Sequence, residues 1–578
     1  MAASDSQAGP ADAATSGEAA HVDHALLAAG LAVLACLFLW ALMPAHMLWD
    51  ADEGYYARTA AEMLQSGNWL VPTYNGELFA HKPPLSFWLM AAGIWLFGEG
   101  EFAVRFFSAP AMAASAFLTF LIGRRLFDDR TGLWAMGVLA TSLMAVYLGF
   151  AAMLDAVLLF TVTLSIWAYV EMTMRPGRAL LMTAIFGIGL YLSLLAKGPV
   201  GPAVVVTMVA ASWVIIPRGE RIPFRQGVGL AAVSLLALAA FLGWAIPADR
   251  ASGGDLISEG IGTHIFGRAL APMEGHGGSG PIGYVLTLPA YVPFLLLGFF
   301  PWIIHLPAAL RGFVAGSFGD RRSRVLLWSW VLPTFLMFTL AATKLPHYVF
   351  PLYPALAIMV AALIVQTGDR PDRLKGWLAG GGWLYLAGGL ATGAAIATSP
   401  MLLPAHPSWP VALGLGIALA AVVVAVFRAQ IGGRTLAASR LLIIATPLAF
   451  AGLFWLVIRP VEPAIKLAAP MASTVAEAAG NDAEIYLAGY GEPSFFYYLG
   501  HPHDRPVQRI RESEAGLEQA LGDARAIVLV VPRDLMEQAA AMADGRPIEI
   551  VGTFAAHNVN RGGRFQEMTV ARLPAIPE

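Results

Sequence analysis

The sequence predicts an all-α polytopic membrane bundle of about thirteen transmembrane helices, followed by a small α/β domain. Three observations predict it. Of 578 residues 57% are hydrophobic and 13% charged, with a mean hydropathy of +0.64, whereas a soluble domain carries about 25% charge. The apolar residues fall in blocks of about 20, enough to cross a bilayer at a rise of about 1.5 Å per residue. From about residue 465, charged residues return and short strand-like runs appear.

Taken in order, residues 1–24 are rich in Ala, Ser, Gly and Asp and poor in large apolar side chains, which predicts a disordered tail. The tail lacks the basic start of a signal peptide, so the first helix is expected to be retained. Backbone polar groups inside lipid must be satisfied locally, which makes each apolar block a helix. Spans are expected near 25–47, 102–123, 133–150, 156–173, 179–196, 200–216, 228–246, 284–305, 325–342, 348–366, 376–397, 410–427 and 441–459. Together residues 25–464 form the membrane part, with 48–101 as its first extracytoplasmic loop. Within that loop 84–98 is short for a crossing, and Trp88 and Trp95 mark it as a helix lying partly in the interface. Residues 465–578 carry the runs AEIYLAGY, ARAIVLVV, IEIVGTF and RFQEMTVARL, alternating with helical stretches near 512–521 and 533–544.

Charge sets the topology. Arg124, Arg125 and Arg130, Arg175 and Arg178, Arg218, Arg221 and Arg225, Arg311 and Arg321 to Arg324, Arg370 to Lys375, and Arg428 to Arg440 occupy alternate loops. Positive charge collects in cytoplasmic loops, which puts the amino terminus in the cytoplasm and the carboxy-terminal domain outside. The net charge of −3 argues for no particular partner, and no basic stripe suggests nucleic acid, which is not expected as a partner. Cys36, the only cysteine, excludes an intrachain disulfide and a cysteine-rich metal site.

The opposite face collects ionisable residues. Asp50, Asp52 and Glu53 follow the first span; they suit helix capping or a carboxylate base. Lys82 suits a snorkelling anchor or a ligand for a lipid phosphate. Asp155 sits at the mouth of a span, where a carboxylate entering lipid costs several kcal/mol. Loop 248–283 carries His264, Arg268, Glu274 and His276 among glycines, reading as a flexible linker or, at Arg268, as a bidentate phosphate ligand. Lys344, His347 and Tyr348 stand among prolines that would kink a span. Singly, each has a structural role; jointly, the topology places them at one headgroup plane, as a reaction on a lipid-phosphate substrate requires.

The run DEGYYARTAAEMLQSGNWLVPTYNGELFAHKPPLSFWLMAAGIWLFG resembles the first extracytoplasmic loop of the aminoarabinose transferase family. That family belongs with the protein O-mannosyltransferase-like, polyprenyl-phosphate-dependent glycosyltransferases. TKLPHYVFPLYPALA, LDAVLLF, AKGPVGP and YGEPSFFYYLGHP resemble further segments of it. The resemblance implies a GT-C fold and transfer of a sugar from a polyprenyl (undecaprenyl) phosphate carrier with inversion. The acceptor would be lipid A, another envelope glycan or a protein. It implies Asp52 as principal catalytic residue, with Glu53 beside it and Asp155 as second carboxylate. Lys82, Arg268 and Lys344 would bind the carrier phosphate, and Tyr56, Lys197, His264, His347 and Tyr348 would contact substrate. The family often has Glu where this chain has His81; His is itself a metal ligand, which leaves a divalent cation open. The rival from another class is a lipid-linked-sugar transporter, but transporters place ionisable groups near mid-bilayer in repeated halves, and here those groups lie at helix ends without a repeat.

Overall fold

The computed structural model describes residues 10–50, 52–267, 270–272, 277–278, 280–367, 374–402, 408–500, 507–543, 545–558 and 564–576. Among them, ten helices are long and apolar enough to cross a membrane, or eleven if one bent pair counts as a single span. All thirteen expected blocks fall on helical segments, two of which lie outside this group. The block 200–216 forms Val200–Ile215, which is short, and 376–397 lies within Lys375–Leu402, whose many glycines dilute its hydropathy.

Two expected straight spans are broken. The block 133–150 becomes Asp129–Ala140 and Leu143–Phe150, bent by 65°. At the break the Leu143 N–H donates to the Phe300 carbonyl at 2.8 Å, and the Ser142 hydroxyl donates to Leu139 at 2.9 Å. Backbone groups freed from the helix are thus satisfied inside the protein, as lipid requires. The block 284–305 becomes Gly280–Thr287, a 3-10 turn at Leu288–Ala290, Tyr291–Gly298 and a second 3-10 turn at Trp302–Ile304; Pro289, Pro293 and Pro301 each remove a backbone donor.

The first helix, α1, spans Pro10–Leu42, and its part His24–Leu42 is long and apolar enough to cross a membrane. Residues 1–9 lie outside the described residues. Helix α2, Asp52–Ser66, opens the first loop with two acids in its first turn, where they complement the free amides. A hairpin of β1 (Thr73–Tyr74) and β2 (Glu77–Leu78) follows. Its turn is Asn75-Gly76, with φ of 53° and 79°, the pair that a tight hairpin favours. Helix α3, Leu85–Phe97, packs on α2. Trp95 is exposed and Trp88 donates its indole N–H to the Trp69 carbonyl, in keeping with an interfacial helix.

Four of the arginine-rich loops meet at one end of the bundle. Arg322, at the start of Arg321–Leu340, donates to the carbonyls of Thr173 and Glu220, and Arg125 pairs with Glu171 at 3.7 Å. At the other end, residues from 468 onward form a mixed five-stranded sheet. Its order is β4 (Gln508–Arg509), β3 (Glu484–Leu487), β5 (Ile527–Pro532), β7 (Arg564–Leu573) and β6 (Glu549–Asn558). The pairs of β3 with β4 and β5 are parallel and the other two antiparallel. The short strand β4 and the helices Ala468–Ala479 and Pro493–Tyr498 went unread in the sequence.

Candidate active site

The first loop supplies the site's acids. The Tyr56 hydroxyl, one helical turn on, donates to Asp52 Oδ1 at 2.8 Å, and the Tyr56 ring packs near Phe79 and Phe87. Glu62 on the same helix accepts from Thr73, from the Asn75 N–H and from Arg58. That carboxylate fastens the hairpin to α2, and the chain returns through Phe79, whose ring stacks on His81 at 4.4 Å, to Lys82.

Glu53 has a different place from the one expected. It is 1% exposed and ion-paired with Arg105, Nε to Oε1 at 2.9 Å and an amino nitrogen to Oε2 at 2.8 Å. It also accepts the backbone N–H groups of Trp49 and Ala152. Burial pushes its carboxyl up, and the Arg105 guanidinium overrides this and holds it at about 2. With both oxygens doubly engaged, Glu53 ties the loop to the bundle. Arg105 also donates to the carbonyls of Met43, His46 and Met47. A lone arginine inside an apolar block was the signal for it, and sequence reasoning passed it over.

Asp155, 3% exposed, opens the helix Asp155–Met174. Lys197, at the end of Ala179–Lys197, donates to its Oδ1 at 2.8 Å. His347 Nε2 stands 4.0 Å from its Oδ2. The Lys197 ammonium lies 5.5 Å from the centre of the Tyr348 ring, and the His347 and Tyr348 rings meet edge to face. Four charged groups act electrostatically on His347: Asp155, Lys197, Asp52 and Lys82. Asp52 and Asp155 also both act on Tyr147 of Leu143–Phe150. Asp155, Lys197 and His347, from three separate stretches of chain, thus form one polar cluster at helix ends, with Asp52 and Lys82 within electrostatic reach of it.

Lys344 does not share its role. It is 5% exposed and donates to the carbonyls of Phe338, Thr339 and Ala341, with the rings of Tyr284 and Tyr291 beside it. It caps the end of Arg321–Leu340, and burial lowers its ammonium's affinity for the proton. Arg268 lies outside the described residues, and His264 falls in the π-helical turn Ser258–Gly267. Among the described residues no group of three His, Cys, Asp or Glu could hold a metal ion.

Residues 81–246 match the family model described as dolichyl-phosphate-mannose-protein mannosyltransferase. The chain is 32% identical over 353 residues to the undecaprenyl phosphate-alpha-4-amino-4-deoxy-L-arabinose arabinosyl transferase of Edwardsiella ictaluri, covering 60% of this chain and 61% of that one. The Aeromonas salmonicida protein of the same name is 31% identical, with 58% and 60% covered. The alignments therefore span about three fifths of these relatives. The crystal structure of ArnT from Cupriavidus metallidurans bound to undecaprenyl phosphate superposes with a TM-score of 0.71 at 19% identity, over 94% of this chain and 97% of that one. The chain has the GT-C fold. This GT-C chain is a multi-span membrane protein, and its polar cluster lies at the helix ends into which the first loop folds.

Proposed function

We propose that this chain is an inverting membrane glycosyltransferase. It moves a sugar from a polyprenyl phosphate carrier to an envelope acceptor such as lipid A or another glycan, at the extracytoplasmic face of a bacterial inner membrane. One observation carries the reading: Lys197 and His347 converge on Asp155 at a helix end, with Asp52 and Lys82 within electrostatic reach. The activity of the Edwardsiella relative, and the undecaprenyl phosphate bound to the Cupriavidus ArnT, support the same substrate class.

Asp52 orients the acceptor hydroxyl and takes its proton as the oxygen attacks the anomeric carbon. The bond to the carrier phosphate breaks on the opposite side of the sugar, and the electron pair leaves with the phosphate. Lys82 and Lys197 stabilise the charge that builds there, and fixed cations of this kind are worth most in a water-poor site. Asp155 holds Lys197 in place at 2.8 Å. The clustering of arginine loops at the opposite end supports a cytoplasmic amino terminus and an extracytoplasmic sheet unit. Purified protein in lipid nanodiscs, given a polyprenyl-phosphate sugar and lipid A, is expected to release carrier phosphate and glycosylated lipid in equal amounts. Movement of the intact donor between leaflets without cleavage would contradict the proposal.

A further inference from the structure

The carboxy-terminal unit grips the same few residues that carry Asp52. Asp50, 8% exposed, accepts the Ser494 backbone N–H at 3.0 Å. The Tyr498 hydroxyl accepts the Leu48 N–H at 2.7 Å and donates to Glu101 at 2.8 Å. Helix α2 meets the turn at Pro493 so closely that a Cβ at Gly54 would lie 2.8 Å from the Pro493 carbonyl carbon. Just before the unit, Glu462 accepts the Met47 N–H at 2.7 Å and Lys466 donates to the Met47 carbonyl at 2.9 Å. From the other side Arg105 and the Ala152 N–H fix Glu53. Residues 47–50 and 52–54 are therefore clamped between bundle and sheet unit, with Asp52 in the clamped stretch.

A separate ligand-binding module would touch its neighbour through few and exchangeable contacts. Here the contacts are directional hydrogen bonds to buried backbone groups, which define position as well as association. We infer that the carboxy-terminal unit positions Asp52, with Asp50 and Tyr498 as the positioning residues that set where its carboxylate stands relative to Lys82, Asp155 and Lys197. The inference rests on the transferase reading of Asp52. A displacement of about 1 Å at a reacting group costs up to about 100-fold in rate, so loosening either residue lowers turnover without touching substrate.

The test uses the full chain in nanodiscs, with Asp50→Ala, Tyr498→Phe and the conservative Asp50→Asn, which keeps an acceptor oxygen for Ser494. Hydrogen exchange over residues 47–58 is expected to speed up in the first two variants while the spans stay protected. Single-turnover kcat should fall about 10- to 100-fold with KM for a polyprenyl-phosphate sugar within about twofold. Asp50→Asn should restore both readouts, and Asp50→Ala should add nothing in an Asp52→Ala background. Unchanged exchange over 47–58, or a loss of rate that adds to that of Asp52→Ala, would overturn the inference. A wild-type protein that releases no carrier phosphate would sink the transferase reading instead, and the exchange measurement would still decide whether the sheet unit fixes the segment.

Discussion

Arg105 and Glu53 form a two-pronged ion pair whose side chains are 0% and 1% exposed. A pair so buried repays the loss of water only while both partners and their remaining hydrogen bonds are present. Replacing one partner leaves the other charged and without a counterion, at a cost of about 3–5 kcal/mol. Arg105→Met alone should therefore strongly lower the melting temperature in detergent, and Glu53→Gln should do the same to a smaller extent. A wild-type melting curve for Arg105→Met would remove the pair from its anchoring role.

Lys197 and Asp155 differ in kind, because they border the reacting cluster. Lys197→Met strands the Asp155 charge at the mouth of a span, so it should lower both expression of folded protein and turnover. The double variant Asp155→Asn, Lys197→Met should recover folding but not transfer, since the cation for the leaving phosphate is still missing. Recovery of turnover in the double variant would show that the pair is only structural.

Asp50 sets a pH dependence of stability. Burial, and the nearby Glu492 carboxylate, push its pKa up from 3.8 to about 6, against the hydrogen bond from Ser494 and the charge of Lys466. The folded protein thus holds this proton more tightly than the unfolded chain. Stability from Asp50 is present below about pH 4 and is lost as pH rises through about 6, a difference on the order of 2–3 kcal/mol. Asp50→Asn, always neutral, should match wild type near pH 4 and melt at higher temperature than wild type at pH 7. Equal melting curves at both pH values would show that Asp50 is not buried as described.

Much of this was legible because bilayer physics is simple. Apolar blocks, arginine loops and the interfacial segment 84–98 follow from length, hydropathy and charge, and α3 lies at Leu85–Phe97. The Asn75-Gly76 turn was within reach of local chemistry, although the sequence reading passed over it. What hydropathy averages over was not legible. The break before Leu143 depends on a donor finding the Phe300 carbonyl, more than 150 residues away in sequence. The role of Arg105 depends on Glu53 reaching it across 52 positions. That Lys344 caps a helix end was not legible either, because only coordinates reveal that its donors reach the carbonyls of Phe338, Thr339 and Ala341. Asp50 and Asp52, two positions apart, face different partners, Ser494 and Tyr56, and composition cannot separate them.

The most direct measurement is single-turnover transfer from a polyprenyl-phosphate sugar by Asp52→Asn in nanodiscs, beside its melting curve. Removing a positioned base should lower the rate by about 100- to 10,000-fold, while the melting temperature stays near that of wild type because Tyr56 can still donate to the amide oxygen. A folded Asp52→Asn protein that transfers sugar at the wild-type rate would contradict the account.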